Sequence, residues 1–251
     1  MKLKKSLKIG ITGSRGFVGG HIAAVLENQG VKLSFFDKPK NNLLNPKDDE
    51  LKNFVFKNDV VIHTAAINRG NDAEVVAGSI VATYNLIFAM EKYKSKAKLI
   101  FLSSIQAETD TLYGKSKRLT EIMLEDFSKR NRIPVSIFRL TNVFGERCRP
   151  FYNSVVATFC YQAANNQNIT VHPESRNKKF NLIYVGDVAR LIKKEIFTKR
   201  KNLFYFKRVS TKNEMSVGNL AKLMQLFKNK KPLKLKSKFE KDLYSTYLSH
   251  L

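Results

Sequence analysis

The sequence predicts an α/β protein in which a doubly wound parallel sheet is followed by a small C-terminal lobe. Short runs rich in Val, Ile, Leu and Phe alternate with longer stretches of helical periodicity over the first two-thirds of the chain. Strands that alternate with helices form parallel sheets covered on both faces. The length of 251 residues and the 43% apolar content fit one large domain, or one domain with an appended lobe.

The predicted elements follow one another in order along the chain. Residues 1–145 are expected to form the sheet domain, with strands at 7–13, 31–37, 59–65, 97–104 and 134–145 and helices at about 16–28, 72–93 and 113–131. Residues 146–251 are expected to form mainly the small lobe, with a helix at 153–165, a strand at 202–209 and a helix at 216–229. The strand and helix at about 179–197 are expected to return to the sheet domain.

The chain is strongly basic, with 45 Lys and Arg against 21 acids and a formal net charge of +24. Such a charge attracts nucleic acids, acidic membranes or phosphorylated small molecules. The basic residues are scattered, with modest clusters at Lys2–Lys8, Lys193–Lys201 and Lys228–Lys238, and neither an RNP box nor a zinc finger is present. We therefore expect a phosphorylated small molecule as the partner and no nucleic acid.

Neither a membrane segment nor a metal site is expected. No apolar run approaches the ~20 residues that cross a bilayer, and the basic start "MKLKKSLKIGITG" runs straight into a glycine turn without a cleavage site. Cys148 and Cys160 offer neither a disulfide framework nor a metal-ligand spacing. These features predict a cytoplasmic protein.

A glycine-rich turn, "ITGSRGFVGG", follows the first strand and opens the first helix. It places Gly13, Gly16 and Gly19 three residues apart. Glycines that let a backbone approach closely at a helix N-terminus are typical of a site for a pyrophosphate. The loop therefore predicts a Rossmann-type dinucleotide site.

The second strand ends at Asp37, 18 residues after Gly19. An acid at that place can hold the ribose hydroxyls of NAD, and it repels a 2′-phosphate. Arg15 and Lys38 have the opposite effect, since either can neutralise that phosphate. The residues leave both cofactors open; we expect NADPH, with NADH as the alternative.

Tyr113 and Lys117 lie four residues apart in "LYGKSKRLTE", on the first turns of a predicted helix. Side chains four apart share a helix face. An adjacent ammonium stabilises a phenolate and lowers the pKa of the phenol, which would let Tyr113 exchange a proton with a substrate. The spacing alone is common by chance. The interpretation of the pair as catalytic therefore depends on the glycine loop and on Ser104 in "LSS".

Six motifs in order give the chain a resemblance to the extended short-chain dehydrogenase/reductases. They are TGxxGxxG at 12–19, "HTAA" at 63–66, "LSS" at 102–104, "YGKSK" at 113–117, "RLTNVFG" at 139–145 and "YVGDVA" at 184–189. Within that family the stretches "SSIQA", "CRPFYNSVVATFC" and "FEKDLYSTYLSHL" resemble the reductase domain of CapF-type capsular polysaccharide enzymes. The likeness does not extend to the cupin domain of those enzymes.

The resemblance implies a role for each matched residue. Tyr113 would protonate a carbonyl oxygen, Ser104 would hydrogen-bond the same oxygen, and Lys117 would also hold the nicotinamide ribose. The residues expected to bind the cofactor are Gly13, Ser14, Arg15, Gly16, Phe17, Val18, Asp37, Lys38, Ala65, Ala66, Tyr113 and Lys117. Those expected to bind the substrate are Arg69, Gln106, Asn142, Asn153 and Ser154. For Asn142 the alternative is an ordinary turn residue at a strand end.

Departures from the family pattern narrow the expected reaction. Ile105 and Gln106 stand where nucleotide-sugar dehydratases carry an Asp-Glu pair, so dehydration is not expected. The resemblance implies an NADPH-dependent 4-keto reductase of a UDP-linked 4-keto-6-deoxy sugar, an N-acetylated L-hexosamine, in surface-polysaccharide synthesis.

Two alternatives stay open: a nucleotide-sugar C4 epimerase that retains NAD, and a non-catalytic dinucleotide-sensing or RNA-associated regulator. Family members of the second kind typically lose the tyrosine or the lysine. A homodimer through helices at about 72–93 and 113–131 is also expected from the resemblance.

Overall fold

A computed structural model of the chain describes residues 6–229 and 235–251. The basic clusters at Lys2–Lys8 and Lys228–Lys238 therefore lie partly outside the described residues. The chain folds into two compact units. Unit 1 comprises Met1–Leu140 and Ala189–Arg208, and unit 2 comprises Thr141–Val188 and Val209–Leu251.

The strands and helices alternate along most of the chain. The strands are β1 (Lys8–Thr12), β2 (Lys32–Phe36), β3 (Val60–His63), β4 (Lys98–Ser104), β5 (Val135–Leu140), β6 (Asn142–Phe144), β7 (Lys179–Tyr184), β8 (Phe204–Val209) and β9 (Glu214–Ser216). The α-helices are α1 (Phe17–Glu27), α2 (Asp48–Lys57), α3 (Asp72–Val76), α4 (Ala82–Lys92), α5 (Leu112–Asn131), α6 (Val155–Ala164), α7 (Val185–Phe197), α8 (Val217–Lys228) and α9 (Lys238–Leu248). Short 3₁₀ turns occupy Ile105–Glu108 and Pro173–Ser175.

Unit 1 is built on a six-stranded sheet in the order β2-β1-β3-β4-β5-β8. The pairs β1–β2, β1–β3, β3–β4 and β4–β5 are all parallel. The chain runs from β1 outward to β2 and then returns to β3 on the other side of β1. Ligands of such sheets bind beyond the carboxyl ends of the strands at this reversal. The predicted α/β, Rossmann-type fold is confirmed.

Burial explains why these short segments become strands. Every residue of β3 and β5 is buried, as are four of the five residues of β1, whereas the edge strand β2 is mostly accessible. Strands covered on both faces need continuous apolar runs rather than alternation. Phe101 and Phe127 are among the largest side chains of the resulting core.

The segment predicted as one helix over 72–93 is helical but interrupted. A π-helical turn at Ala77–Val81 separates α3 from α4. Among the residues that the structure describes, Asp72–Lys92 is the one helical segment that passes a membrane-span test of length and composition, and half of its apolar window is buried inside the fold. Burial to this extent is typical of a helix in the core of a folded domain.

Unit 2 contains a three-stranded sheet in the order β6-β7-β9. The strand predicted over 134–145 breaks at Thr141, so that β5 and β6 belong to different sheets. The strand at 179–184, which we expected to return to the sheet domain, pairs instead with β6 and β9. The Thr141 hydroxyl donates to the Asn181 carbonyl at 2.9 Å, which fixes the break beside β7.

Two helices were not predicted from the sequence. Helix α2 has Asp48, Asp49 and Glu50 in its first turn, where acids interact favourably with a helix N-terminus. Helix α9 begins with a capping box in which the Ser237 and Glu240 side chains each accept the other residue's backbone N–H. Both signals are present in the sequence.

Candidate active site

Tyr113 and Ser104 meet near the carboxyl end of β4. The Thr111 side chain caps α5 by accepting the N–H of Gly114 at 3.1 Å, which places Tyr113 on the first helical turn. Ser104 ends β4, and its hydroxyl accepts the N–H of Gln106 at 3.2 Å. The Ser104 hydroxyl lies near enough to the Tyr113 phenol to lower its pKa. A strand end and a helix start thus place the two predicted catalytic hydroxyls in the same part of unit 1.

The phenol of Tyr113 holds its proton more tightly than the sequence predicted. Burial raises the pKa of Tyr113 to about 12, and the nearby Ser104 opposes only part of that shift. We expected Lys117 to lower the pKa of this phenol, but the Lys117 Nζ lies 4.9 Å from the centre of the Phe101 ring and 5.9 Å from that of Tyr113. Desolvation therefore dominates, and Tyr113 is an acid at neutral pH.

Lys117 is buried in the same part of unit 1. Burial lowers the pKa of its ammonium to about 8, while the Glu121 carboxylate acts in the opposite direction. The amine consequently remains largely protonated at neutral pH and loses its charge in mildly alkaline solution.

The glycine loop between β1 and α1 forms a cradle that side chains would fill. A Cβ on Gly13 would lie 2.7 Å from the Ala65 backbone nitrogen, and Gly13 has a positive φ of 77°. A Cβ on Gly19 would overlap the Gly13 carbonyl oxygen and lie 2.7 Å from the Thr64 hydroxyl. Helix α1 starts at Phe17, so its unpaired N–H groups face this loop end. These features fit a bound pyrophosphate.

Asp37 closes one side of the cradle. Its carboxylate accepts the Gly13 and Ser14 N–H groups as well as the Ser14 hydroxyl. Arg15 and Lys38 are exposed beside it. The loop itself therefore binds the acid that was predicted to hold a ribose.

His63 connects the strand that precedes the cradle to a helix. The fully buried ring accepts from the Thr12 hydroxyl at 2.7 Å through Nδ1, and it donates from Nε2 to the Thr83 hydroxyl at 3.0 Å, because Thr83 gives its own proton to the Ser79 carbonyl. Burial lowers the pKa of His63 to about 3, and the Lys117 charge adds to the effect. A neutral ring thus links β1, β3 and α4.

The other predicted residues are distributed over both units. Ala65 and Ala66 follow β3, and Arg69 and Gln106 are exposed in unit 1. In unit 2 the Asn142 amide donates to the Asn181 carbonyl at 3.0 Å. Ser154 caps α6, with its hydroxyl accepting the Ala157 N–H at 3.2 Å, and the exposed Asn153 precedes it.

A cluster of charged side chains next to the tyrosine helix was missed by the sequence analysis. Glu121, four residues after Lys117, is buried and accepts hydrogen bonds from Ser103 and Arg139. The continued four-residue spacing from Tyr113 through Lys117 to Glu121 is the signal that would have identified it.

The model of the NAD dependent epimerase/dehydratase family matches residues 9–201. The chain belongs to this family. The epimerase/dehydratase match covers the cradle and the Ser104, Tyr113 and Lys117 positions, and it confirms the resemblance inferred from the motifs.

Relatives within the epimerase/dehydratase family agree with that assignment. The chain is 34% identical over 251 aligned residues to a UDP-2-acetamido-2,6-beta-L-arabino-hexul-4-ose reductase of Pseudomonas aeruginosa, covering 98% of this chain and 65% of that protein. It is 32% identical to the crystal structure of the capsular polysaccharide assembling protein CapF from Staphylococcus aureus, with a TM-score of 0.77 over 98% of this chain and 65% of that one. The chain therefore spans about two-thirds of the length of both relatives.

A third similar structure supports the fold assignment and nothing further, because its sequence identity to this chain is low. The UDP-glucuronic acid 4-epimerase of Bacillus cereus in complex with NAD is 19% identical, with a TM-score of 0.84 over 97% of this chain and 98% of that one.

Proposed function

We propose that the chain is an NADPH-dependent 4-keto reductase of a UDP-linked 4-keto-6-deoxy sugar, UDP-2-acetamido-2,6-dideoxy-L-hexos-4-ulose, in surface-polysaccharide synthesis. The observation that carries the proposal is the buried, protonated phenol of Tyr113 near Ser104 at the end of β4. A reductase needs an acid at the ketone oxygen, and a phenol with a pKa of about 12 is in its acid form throughout the neutral range. The reductase from Pseudomonas aeruginosa supports this choice of substrate.

Tyr113, Ser104 and Lys117 of unit 1 would have separate roles in ketone reduction. A bound nicotinamide would supply the hydride for C4 of the sugar. Tyr113 gives its proton to the C4 oxygen as negative charge develops there, which makes the alkoxide a better base than the phenolate left behind. Ser104 hydrogen-bonds the same oxygen and keeps it in line with Tyr113. The Lys117 ammonium stabilises the phenolate electrostatically in a buried environment, where a charge acts strongly.

The cofactor would lie along the carboxyl edge of β1 and β3. Residues Gly13 to Val18 would cradle its pyrophosphate, with Ala65 and Ala66 beside it. The engagement of Asp37 by Ser14 and the exposure of Arg15 and Lys38 favour NADPH over NADH. On the substrate side we assign Arg69, Gln106, Asn142, Asn153 and Ser154 to the UDP-sugar. The net charge of +24 suits a doubly charged diphosphate and a phosphorylated cofactor.

The test is to mix the protein with NADPH and enzymatically prepared UDP-4-keto-6-deoxy-L-hexosamine and to follow nicotinamide absorbance. We expect oxidation of NADPH by the wild type, its abolition in Tyr113→Phe, and normal turnover in Tyr84→Phe, which removes an exposed tyrosine hydroxyl elsewhere in unit 1. NADH in place of NADPH should react more slowly. Absence of oxidation with either cofactor contradicts the reductase, and tightly retained NAD in the purified protein would indicate the C4 epimerase instead.

A homodimer in the cytoplasm forms part of the proposal. Helices α4 and α5 contact each other in unit 1, and apolar side chains on them and on the π-helical turn before α4 are exposed. These side chains are between 39% and 52% exposed, and they are Val81, Tyr84, Phe88, Leu119 and Ile122. Exposed patches of this kind mark protein–protein contacts. Phe88→Glu should halve the mass measured by light scattering, whereas Phe56→Glu, at an exposed phenylalanine of α2, should leave it unchanged.

A further inference from the structure

Arg139 of β5 is buried among residues that belong to the elements of the candidate site. Its Nε donates to Glu121 Oε1 at 3.0 Å, and its Nη2 forms a second, short bond to Glu121 Oε2. Its Nη1 donates to Glu108 Oε1 at 2.8 Å. One guanidinium thus binds the helix that carries Tyr113 and Lys117 and the 3₁₀ turn that follows Ser104.

Ser103 adds a third connection. It pairs with Arg139 across the β4–β5 ladder, and its hydroxyl donates to Glu121 Oε1 at 2.6 Å. Ser103 directly precedes Ser104, so the same carboxylate is bonded to the strand end that carries Ser104 and to β5. Burial would raise the pKa of the Glu121 carboxyl, but the hydrogen bonds from Arg139, Ser103 and Arg118 hold it below its ordinary value. Glu121 is therefore a fixed anion.

The turn at Ile105–Glu108 is packed directly against the start of α5. A Cβ on Gly114 would overlap the Gln106 carbonyl oxygen and lie 2.6 Å from the Thr109 hydroxyl. On the outer side Glu108 is bonded a second time, by Arg208 Nη2 at 3.0 Å. The bond from Arg139 connects Glu108 to β5, whereas the bond from Arg208 connects it to β8.

We propose that Arg139 is a positioning residue that fixes the position of the 3₁₀ turn at Ile105–Glu108 relative to α5. We call its paired bonds to Glu121 of α5 and Glu108 of the turn the Arg139 clamp. The catalytic role of this clamp rests on the proposed reductase function. A bidentate guanidinium–carboxylate pair is geometrically specific, and catalytic groups tolerate little displacement, because an error of 1 Å can cost roughly a hundredfold in rate. Neither Arg139 nor the two glutamates need touch the substrate.

The test uses Glu108→Gln in the full chain, because Glu108 is partly exposed and the change leaves the buried Arg139–Glu121 pair intact. Arg208→Met is the matched control, since it removes the outer ion pair and keeps the bond between Arg139 and Glu108. Asp126→Asn removes an exposed ion pair with Arg130 farther along the same helix. Arg139→Lys serves as a second variant, because it keeps the positive charge but cannot form the bidentate pair with a carboxylate.

In Glu108→Gln we expect kcat to fall roughly tenfold with an unchanged dissociation constant for NADPH. Hydrogen exchange of the amides at 105–109 should accelerate, and the thermal midpoint should stay within a few degrees of the wild type. Arg139→Lys should show the same split between kcat and cofactor affinity, and the two controls should match the wild type. An unchanged kcat in Glu108→Gln overturns the proposal even if exchange accelerates.

Hydrogen exchange separates this proposal from the proposed function, because it requires no turnover. A wild-type protein that reduces no nucleotide sugar contradicts the reductase, while faster exchange at 105–109 in Glu108→Gln still supports the clamp. Unchanged exchange in such a protein overturns the clamp as well.

Discussion

Ser104 lies near Tyr113 and lowers the pKa of its phenol, although one residue ends a strand and the other lies in the first turn of a helix. Two helix caps set this arrangement: Ser104 caps the 3₁₀ turn at Ile105–Glu108, and Thr111 caps α5. Caps fix where a helix starts and therefore where its first side chains point. In this protein the caps that begin two helices also set the positions of Ser104 and Tyr113.

Replacing Ser104 with Ala should reduce the turnover number by roughly a hundredfold, a typical loss for one hydrogen bond to a developing oxyanion. The dissociation constant of NADPH should change little, because Ser104 is remote in sequence and role from the glycine cradle. Ser104→Thr keeps a hydroxyl at the same place and should retain most of the activity. Steady-state kinetics with both variants checks this prediction, and an Ala variant as active as the Thr variant would contradict it.

Reductase activity should decline in mildly alkaline solution. Burial places the pKa of Lys117 at about 8, so the ammonium loses its proton above that pH, and with it the charge that stabilises the phenolate. The titratable groups near this amine are the protonated Tyr113 and the anionic Glu121 on its own helix and the neutral His63 of β3. We expect log kcat to fall with a midpoint near pH 8.

The matched variant for this pH profile is Lys117→Arg. A guanidinium keeps its proton across the accessible range. Its turnover should be lower than that of the wild type because its geometry differs, but it should show no decline near pH 8. A wild-type profile that is flat up to pH 9.5 would contradict the assignment.

The sequence predicted the parts of the site that depend on local pattern. The cradle needs glycines at fixed spacing after a strand, and the Tyr113–Lys117 pair needs only a helix, so both are readable from neighbouring residues. The Glu108–Arg139 bond joins residues 31 apart in sequence, and the raised pKa of Tyr113 arises from burial by the folded chain. Neither can be read from local spacing.

The break between the two sheets has the same explanation. Residues 135–144 read as one apolar strand, but the strand breaks at Thr141, whose hydroxyl donates to the carbonyl of Asn181, 40 residues away. The glycine cradle, in contrast, depends on neighbouring residues, and substitutions at two of its glycines test it.

Gly19→Ala should destabilise the cofactor-free protein more than Gly16→Ala does. A methyl group on Gly19 would overlap the Gly13 carbonyl and crowd Thr64, whereas on Gly16 it meets only the Gly13 carbonyl at 3.1 Å. Overpacking of this kind costs about 1–3 kcal/mol. Chemical denaturation without cofactor measures the difference, and equal midpoints for the two variants would show that the loop relaxes around the methyl group.

Acidification should destabilise the fold through His63. Its pKa is about 3 in the folded protein, against an ordinary value of 6.5. Between these values the unfolded chain binds a proton that the folded chain does not, so the free energy of unfolding falls as the pH is lowered from 6.5 towards 3. The loss from this one group approaches about 1.4 kcal/mol per pH unit within that window and becomes negligible above roughly pH 7.5.

His63→Gln should remove this contribution to the pH dependence. The variant should be less stable than the wild type at pH 7, because the flexible Gln side chain replaces a rigid ring that packs against Phe101 in the core, yet the gap should narrow steadily as the pH falls. His172→Gln, at an exposed histidine of unit 2, is the control and should keep the wild-type slope. Denaturation midpoints at pH 7, 6, 5 and 4.5 measure the slopes. Parallel curves for the wild type and His63→Gln would mean that the buried ring accepts a proton in the folded state, which its two hydroxyl partners and its nearness to the Lys117 charge argue against.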